Sequence, residues 1–149
     1  MRAVAGLLVA VLIAGCAATS PPRTPAPLGA DIVVPLTVPN GRVEVIVKRD
    51  YAVGETVRVT VRLLPSRGSL RGPVDAYVQA SGFHGTATVR HFDLTAATAT
   101  AGSPASVEIA WDQRDDTGKA VDGDDYSLVF TVTDDAGRSS QLGTTLQIR

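Results

Sequence analysis

The chain has 149 residues, 44% apolar and 19% charged, with 14 Lys and Arg against 15 Asp and Glu. That length holds one ordinary domain once a targeting segment is set aside, and the near-neutral balance excludes a basic nucleic-acid-binding surface. One Cys and two His exclude a disulfide framework and a cysteine-based zinc site.

Met1 and Arg2 open the chain and are followed by an apolar run from Ala3 to Ile13. At about 1.5 Å per residue that run is far too short for a ~30 Å hydrocarbon core, but it has the length of a signal-peptide apolar region. It ends in Leu12-Ile13-Ala14-Gly15-Cys16. This resembles a bacterial lipobox, in which a branched apolar residue and two small ones precede the modified cysteine. The resemblance implies cleavage after Gly15, lipidation of Cys16, and a membrane anchor in the bacterial cell envelope. Two or three acyl chains suffice for stable anchoring. Residues 1–15 are thus expected to be a lipoprotein signal peptide.

Residues 16–30 carry the cysteine and then four prolines, Pro21, Pro22, Pro25 and Pro27, with almost no large apolar side chains. Such a segment cannot bury enough surface to offset its ordering entropy. Its proline content favours an extended form at ~3.1 Å per residue, a tether spanning roughly 40 Å.

From Asp31 onward a two-residue alternation predicts strands, each with one buried and one wet face. Val43, Val45 and Val47 form one such series, and Val57, Val59, Val61 and Leu63 another. Further strands are predicted over Val74–Ala80, Thr86–Phe92, Ala105–Trp111, Tyr126–Thr133 and Gln141–Ile148. Ile32–Val38 is expected at an edge, because Pro35 cannot donate to a central ladder. Arg49 to Glu55 reads as a turn, and Ala96 to Ala101 as a loop or strand edge. Pro65 to Gly68, Arg71-Gly72-Pro73, Ser81-Gly82, Gly102 to Pro104 and Asp134 to Gly137 supply breaks. Seven or eight short strands in residues 31–149 predict an all-β antiparallel sandwich. Only seven residues are aromatic, so its core must be mainly Val, Leu, Ile and Ala.

The best-defined local pattern runs from Trp111 and Asp112 through Asp115, Gly118 and Val121 to Tyr126. Physically, a strand ends at Trp111, a polar loop reverses the chain, and a new strand starts at Tyr126. The two aromatic rings are expected to close one end of the sandwich. This pattern resembles the Ig-like domain of flagellar hook-capping proteins and their gliding-motility relatives. It is also similar to the intracellular proteinase inhibitor (BsuPI) domain of Bacillus. Asp125 stands where both families usually carry Gly. The resemblance covers roughly Ser103 to Ile148 and implies an Ig-like sandwich.

Six Asp fall in the same stretch: Asp112, Asp115, Asp116, Asp122, Asp124 and Asp125. Calcium takes six to eight oxygens, so Asp112, Asp115, Asp116 and Asp122 are the candidate ligands of an ion site. The EF-hand order of ligands is absent, however, and turn-forming Asp is the expected role, with no cofactor. His84 and His91 lack the companions that metal binding needs. Ser81, Ser139 and Ser140 occur without a G-x-S-x-G elbow. Glu44 and Glu108 alternate with Val and Ile, which places them on solvated faces and not as an acid/base pair. No catalytic residues are assigned, and the chain is not expected to be an enzyme.

The leading expectation is a non-catalytic binding or structural domain, lipid-anchored at the membrane through Cys16. Its partner would be an envelope protein or glycan, with no nucleic acid. One alternative is a surface-displayed proteinase inhibitor. Its inhibitory loop would be Pro65 to Pro73, with Arg67 and Arg71 facing the protease. Another is a calcium-dependent adhesion or carbohydrate-binding module built on the Asp-rich loop.

Overall fold

A computed structural model describes residues 29–81 and 86–149. Among these there are ten strands and no helix. In chain order they are β1 (Asp31–Val38), β2 (Gly41–Lys48), β3 (Asp50–Tyr51), β4 (Val57–Pro65) and β5 (Ser69–Ala80). There follow β6 (Thr88–Phe92), β7 (Ala97–Thr100), β8 (Ala105–Trp111), β9 (Asp125–Asp134) and β10 (Ser139–Ile148). They form a four-stranded sheet, β1-β2-β4-β8, and a six-stranded sheet, β3-β10-β9-β5-β6 with β7 also on β5. The predicted β-sandwich is what the chain forms.

The alternation in the sequence is the alternation in burial. β4 runs from Val57 to Pro65 with every odd-numbered position buried, and β9 buries Tyr126, Leu128, Phe130, Val132 and Asp134. The inner faces meet in one core. Val43, Val45, Val47, Val59, Val61, Leu63 and Ile109 from one sheet oppose Leu70, Val78, Leu128, Phe130, Leu146 and Ile148 from the other. Burying such side chains contributes about 1.5–3 kcal/mol each before ordering entropy is counted. β1 lies at the edge of its sheet, with Pro35 opposite Glu44, as its missing N–H requires.

Two expectations need correction and one is narrowed. The segment Pro65 to Pro73 is not a long loop. Pro65 closes β4, a short turn holds Ser66, Arg67 and Gly68, and β5 begins at Ser69. The predicted break at Gly72-Pro73 lies inside β5, where the register against β9 shifts between Arg71 and Val74 and again before Tyr77. A bulged strand can absorb proline without losing the whole ladder. A Cβ at Gly72 would lie 2.9 Å from the Thr131 carbonyl oxygen, so backbone contact requires glycine there. The second concerns Ala97–Thr100, expected as loop or strand edge: it is the short edge strand β7, paired with the first half of β5. The third is Asp50–Tyr51, read as turn but forming β3, a two-residue parallel partner of β10.

The turns after β1, β4 and β9 gather at one end of the sandwich, joined by hydrogen bonds between Asn40, Ser66 and Asp135. The opposite end holds the β3–β4 turn, the β8–β9 loop and Arg149, joined through Val53, Gly54 and Gln113.

Candidate functional site

The β8–β9 loop, residues 112–124, is the most elaborate surface feature among the described residues. Trp111 ends β8 with 2% of its surface exposed. Its indole N–H donates to the Arg114 carbonyl at 2.8 Å, and its ring meets Tyr126 edge-on, 5.3 Å between centroids. Tyr126 donates its hydroxyl to the Asp122 carbonyl at 2.8 Å. Both ends of the loop are therefore pinned to the aromatic pair.

Most of the aspartates are occupied with backbone amides. Asp112 Oδ1 accepts from Arg114 N at 3.2 Å. Asp115 Oδ1 accepts from the Thr117 hydroxyl, Thr117 N and Lys119 N, at 2.6, 2.9 and 2.9 Å. The Thr117 hydroxyl bond first, and the Lys119 amide next, hold the Asp115 carboxyl below its ordinary value. Gly118 completes this small hairpin at φ 85°, a backbone form that costs glycine little. Asp124 Oδ1 accepts from Asp125 N, and Asp125 pairs with Arg149 at 2.6 Å. Asp112, Asp115, Asp116 and Asp122 are not brought together as an ion cage. No group of three His, Cys, Asp or Glu side chains among the described residues is placed to hold a metal.

Asp116 makes the longest reach. Its Oδ1 accepts from His91 N at 3.0 Å, its Oδ2 meets His91 Nδ1 at 2.6 Å, and its own N–H donates to the Val89 carbonyl at 3.0 Å. Arg90 adds a bond from its guanidinium to the Asp115 carbonyl at 3.2 Å. The loop is thus latched along the free edge of β6. The His91 side-chain bond is the main cause that lowers the Asp116 carboxyl. Between the loop and β6 lies an open cleft of about 410 Å³, floored by Ala80, Val89, Val121 and Tyr126 and rimmed by Asp115, Asp116, Asp122 and Lys119.

The other candidate residues lie apart. Arg67 is in the β4–β5 turn and reaches the Pro39 carbonyl at 3.4 Å, while Arg71 is an exposed residue of β5 opposite Thr133. They do not share the extended loop that an inhibitory segment would need. Ser139 Oγ contacts Thr133 Oγ1 at 3.1 Å. Glu44 pairs with Arg42 and Arg62, and Glu108 with Arg58, all on the outer face of the smaller sheet. Cys16, the signal segment, His84 and all but the last two residues of the tether lie outside the described residues.

Three buried polar side chains carry structural roles that periodicity does not reveal. Gln113, 2% exposed, binds the β3–β4 turn three times. Asn40 Nδ2 donates to Asp135 Oδ1 at 2.6 Å, and its carbonyl accepts from Ser66 N at 2.8 Å. Asp134, whose side chain is 1% exposed, accepts from Ala136 N and Arg138 N at 2.9 Å and pairs with the Arg138 guanidinium at 2.7 Å. The one available signal was Asp134-Asp135-Ala136-Gly137, a turn sequence whose first Asp commonly caps its own amides.

The Arg138 backbone bond is the leading cause that holds the Asp134 carboxyl below its ordinary 3.8. Because the folded pKa is the lower one, the unfolded chain takes up the proton first as the medium is acidified. Asp134 therefore contributes stability above its unfolded pKa, which is lost as pH falls through the folded value. Glu55, Asp115 and Asp116 are shifted the same way. Denaturation monitored from about pH 5 down to about pH 2 should show falling stability, with a shallower fall in Asp134→Asn. Equal slopes in the two proteins would remove Asp134 from this account.

The chain matches no family model and no curated protein. Two solved structures of β-glucosidase from Listeria innocua are similar to it in part. A mutant enzyme with laminaribiose aligns at 10% identity and a TM-score of 0.46, over 72% of this chain and 16% of that one. The enzyme with isofagomine aligns at 10% identity and a TM-score of 0.41, over 80% and 16%. The chain thus spans about a sixth of the length of these structures.

Proposed function

We propose that the protein is a lipid-anchored component of the bacterial cell envelope that presents a non-catalytic, Ig-like binding or structural domain. The observation that carries this reading is the order of segments. A lipobox-like Leu12 to Cys16 comes first, then a segment with four prolines, then a β-sandwich that begins at Asp31. A lipid on Cys16 would hold the chain at a membrane, and the proline segment would set the sandwich at a distance from it. A sandwich offers loops and strand faces on a rigid frame, which is what recognition needs.

The chemistry of the loops supports binding over turnover. Asp115 and Asp134 cap turns, Asp116 latches an edge, and Glu44 and Glu108 form surface pairs. A catalytic constellation instead needs titratable groups converging on a point where a reacting atom sits.

Cys16→Ser should abolish incorporation of labelled palmitate and shift the protein from the detergent phase to the aqueous phase. Wild-type protein that takes up no palmitate would remove the anchor. In intact cells, cross-linking should capture an envelope component, while purified protein turns over no hydrolase substrate. Turnover that disappears in His91→Ala would overturn the non-catalytic reading. Potent protease inhibition lost in Arg67→Ala or Arg71→Ala would replace it with the inhibitor.

A further inference from the structure

The two sheets turn chemically different faces to solvent. On the four-stranded sheet, Arg42, Glu44 and Arg62 form a run of ion pairs at 3.0 and 3.6 Å, and Arg58 meets Glu108 at 2.6 Å. The outer face of the six-stranded sheet has no comparable ladder among the described residues. Its register sets Gln79, Ser127 and Thr145 in one row across β5, β9 and β10. Tyr77, Val129 and Gly143 form the next row, and Thr131 stands beside Gln141 in a third. On β6, His91 pairs with Tyr77. Formal charge stands at the margins: Arg71 towards one end, Asp125 (paired with Arg149) and Asp50 on either side of Gln147 at the other, Asp75 in the β5 bulge, and Asp116 against His91 at β6.

Tyr77 is held in place on this face. Its hydroxyl accepts from Gln141 Nε2 at 3.3 Å, and its ring lies 6.3 Å from the His91 ring at 42°. In the same row the backbone at Gly143 is bare. A Cβ there would come within 3.0 Å of the Leu128 carbonyl oxygen, so no side chain rises beside the Tyr77 row.

We propose that this face binds a neutral polysaccharide strand, with Tyr77 as the stacking platform and Gln79, Thr131 and Gln141 as its hydrogen-bonding groups. The proposal rests on the binding-module reading above and names the partner's chemistry. A pyranose ring presents C–H groups that pack on an aromatic face, and hydroxyls that both donate and accept. Amide side chains do both as well, and threonine hydroxyls likewise. Charge matching separates the candidate partners. An anionic polymer would find no row of cations here, while a neutral one leaves no charge to be desolvated. The face is also poor in the large apolar side chains that form the centre of a stable protein interface. Adjacent strands are ~4.8 Å apart, close to the length of one sugar unit, so a glycan crossing the strands along such a row passes from one strand to the next at each sugar.

The test uses the full chain in a detergent without a sugar headgroup. It is incubated with insoluble cellulose and chitin, and titrated calorimetrically with cellohexaose and chitohexaose. Retention by at least one neutral glycan is expected. Tyr77→Ala should weaken it by about tenfold or more, and Gln141→Ala by a smaller factor. Glu108→Gln, on the opposite face, should bind as the wild type does, and melting curves confirm that each variant is folded. Absence of binding to every neutral glycan would overturn the proposal. So would binding that survives in both Tyr77→Ala and Gln141→Ala, or retention only on dextran sulfate. Cross-linking to an envelope protein under those results would leave the binding-module reading standing and the glycan assignment refuted.

Discussion

Replacing Trp111 with Ala is expected to lower the unfolding free energy by about 3–5 kcal/mol, the usual range for deleting a core aromatic. The side chain is among the largest of the fully buried ones, and it closes the end of the sandwich where β8 gives way to the loop. The deletion removes apolar contact, leaves the Arg114 carbonyl without the indole donor, and releases the edge of Tyr126. The edge-to-face contact itself contributes about 0.5–1.5 kcal/mol, measurable as coupling in a double-mutant cycle with Tyr126→Leu. As the chain has one Trp, native emission should be that of a buried indole and shift red on unfolding. An unchanged denaturation midpoint in Trp111→Ala would refute this placement.

Gln113→Ala is expected to cost about 1.5–4.5 kcal/mol, from three hydrogen bonds at about 0.5–1.5 kcal/mol each. The Gln113 side chain accepts from Gly54 N at 2.7 Å and donates to the Ala52 and Glu55 carbonyls at 2.8 and 2.7 Å. Its backbone carbonyl also accepts from Val121 N at 2.9 Å, so one residue ties the β3–β4 turn to both sides of the β8–β9 loop. Gln113 sits at φ 58°, a conformation that costs a side-chain-bearing residue about 1–2 kcal/mol relative to glycine. Gln113→Gly should therefore be less destabilising than Gln113→Ala, although both lose the same bonds. Urea denaturation of the pair tests this. Equal stabilities would show that the backbone strain is absent.

The strands were legible because burial on one face imposes a period of two: Val57 to Leu63 displays it without interruption, and Val43 to Val47 and Tyr126 to Thr133 with one apolar residue each, Ile46 and Val129, on the wet face. Local signals failed where a partner distant in sequence decides the outcome. Ala97–Thr100 has weak strand chemistry of its own and becomes β7 because β5 offers it a ladder. Gly72-Pro73 looks like punctuation, yet the flanking residues pair with β7 and β9 and carry the strand through it. The candidate site followed the same division. Trp111 and Tyr126 were legible as a closing pair, since large rings at the two ends of a polar loop have few other places to go. Gln113 was not, because its partners lie 58 to 61 positions away. Nor was the attachment of Asp116 to His91, 25 positions away. A cluster of aspartates in a line of sequence suggests shared ligation, whereas in space Asp112, Asp115, Asp116 and Asp124 each accept from a different amide and Asp125 pairs with Arg149.

The latch of Asp116 on β6 has a colloidal consequence. An open sheet edge is a template on which another chain can add a strand, and growth from such edges leads to fibres and precipitates. On β6, the amide of His91 and the carbonyl of Val89 are already occupied by Asp116, so an incoming chain finds these two positions taken. On the far side of that sheet β3 covers only Gln147 and Ile148 of β10, and the edge strand β1 of the other sheet presents Pro35. The acidic loop thus withdraws two backbone groups of the β6 edge from any strand that could add there.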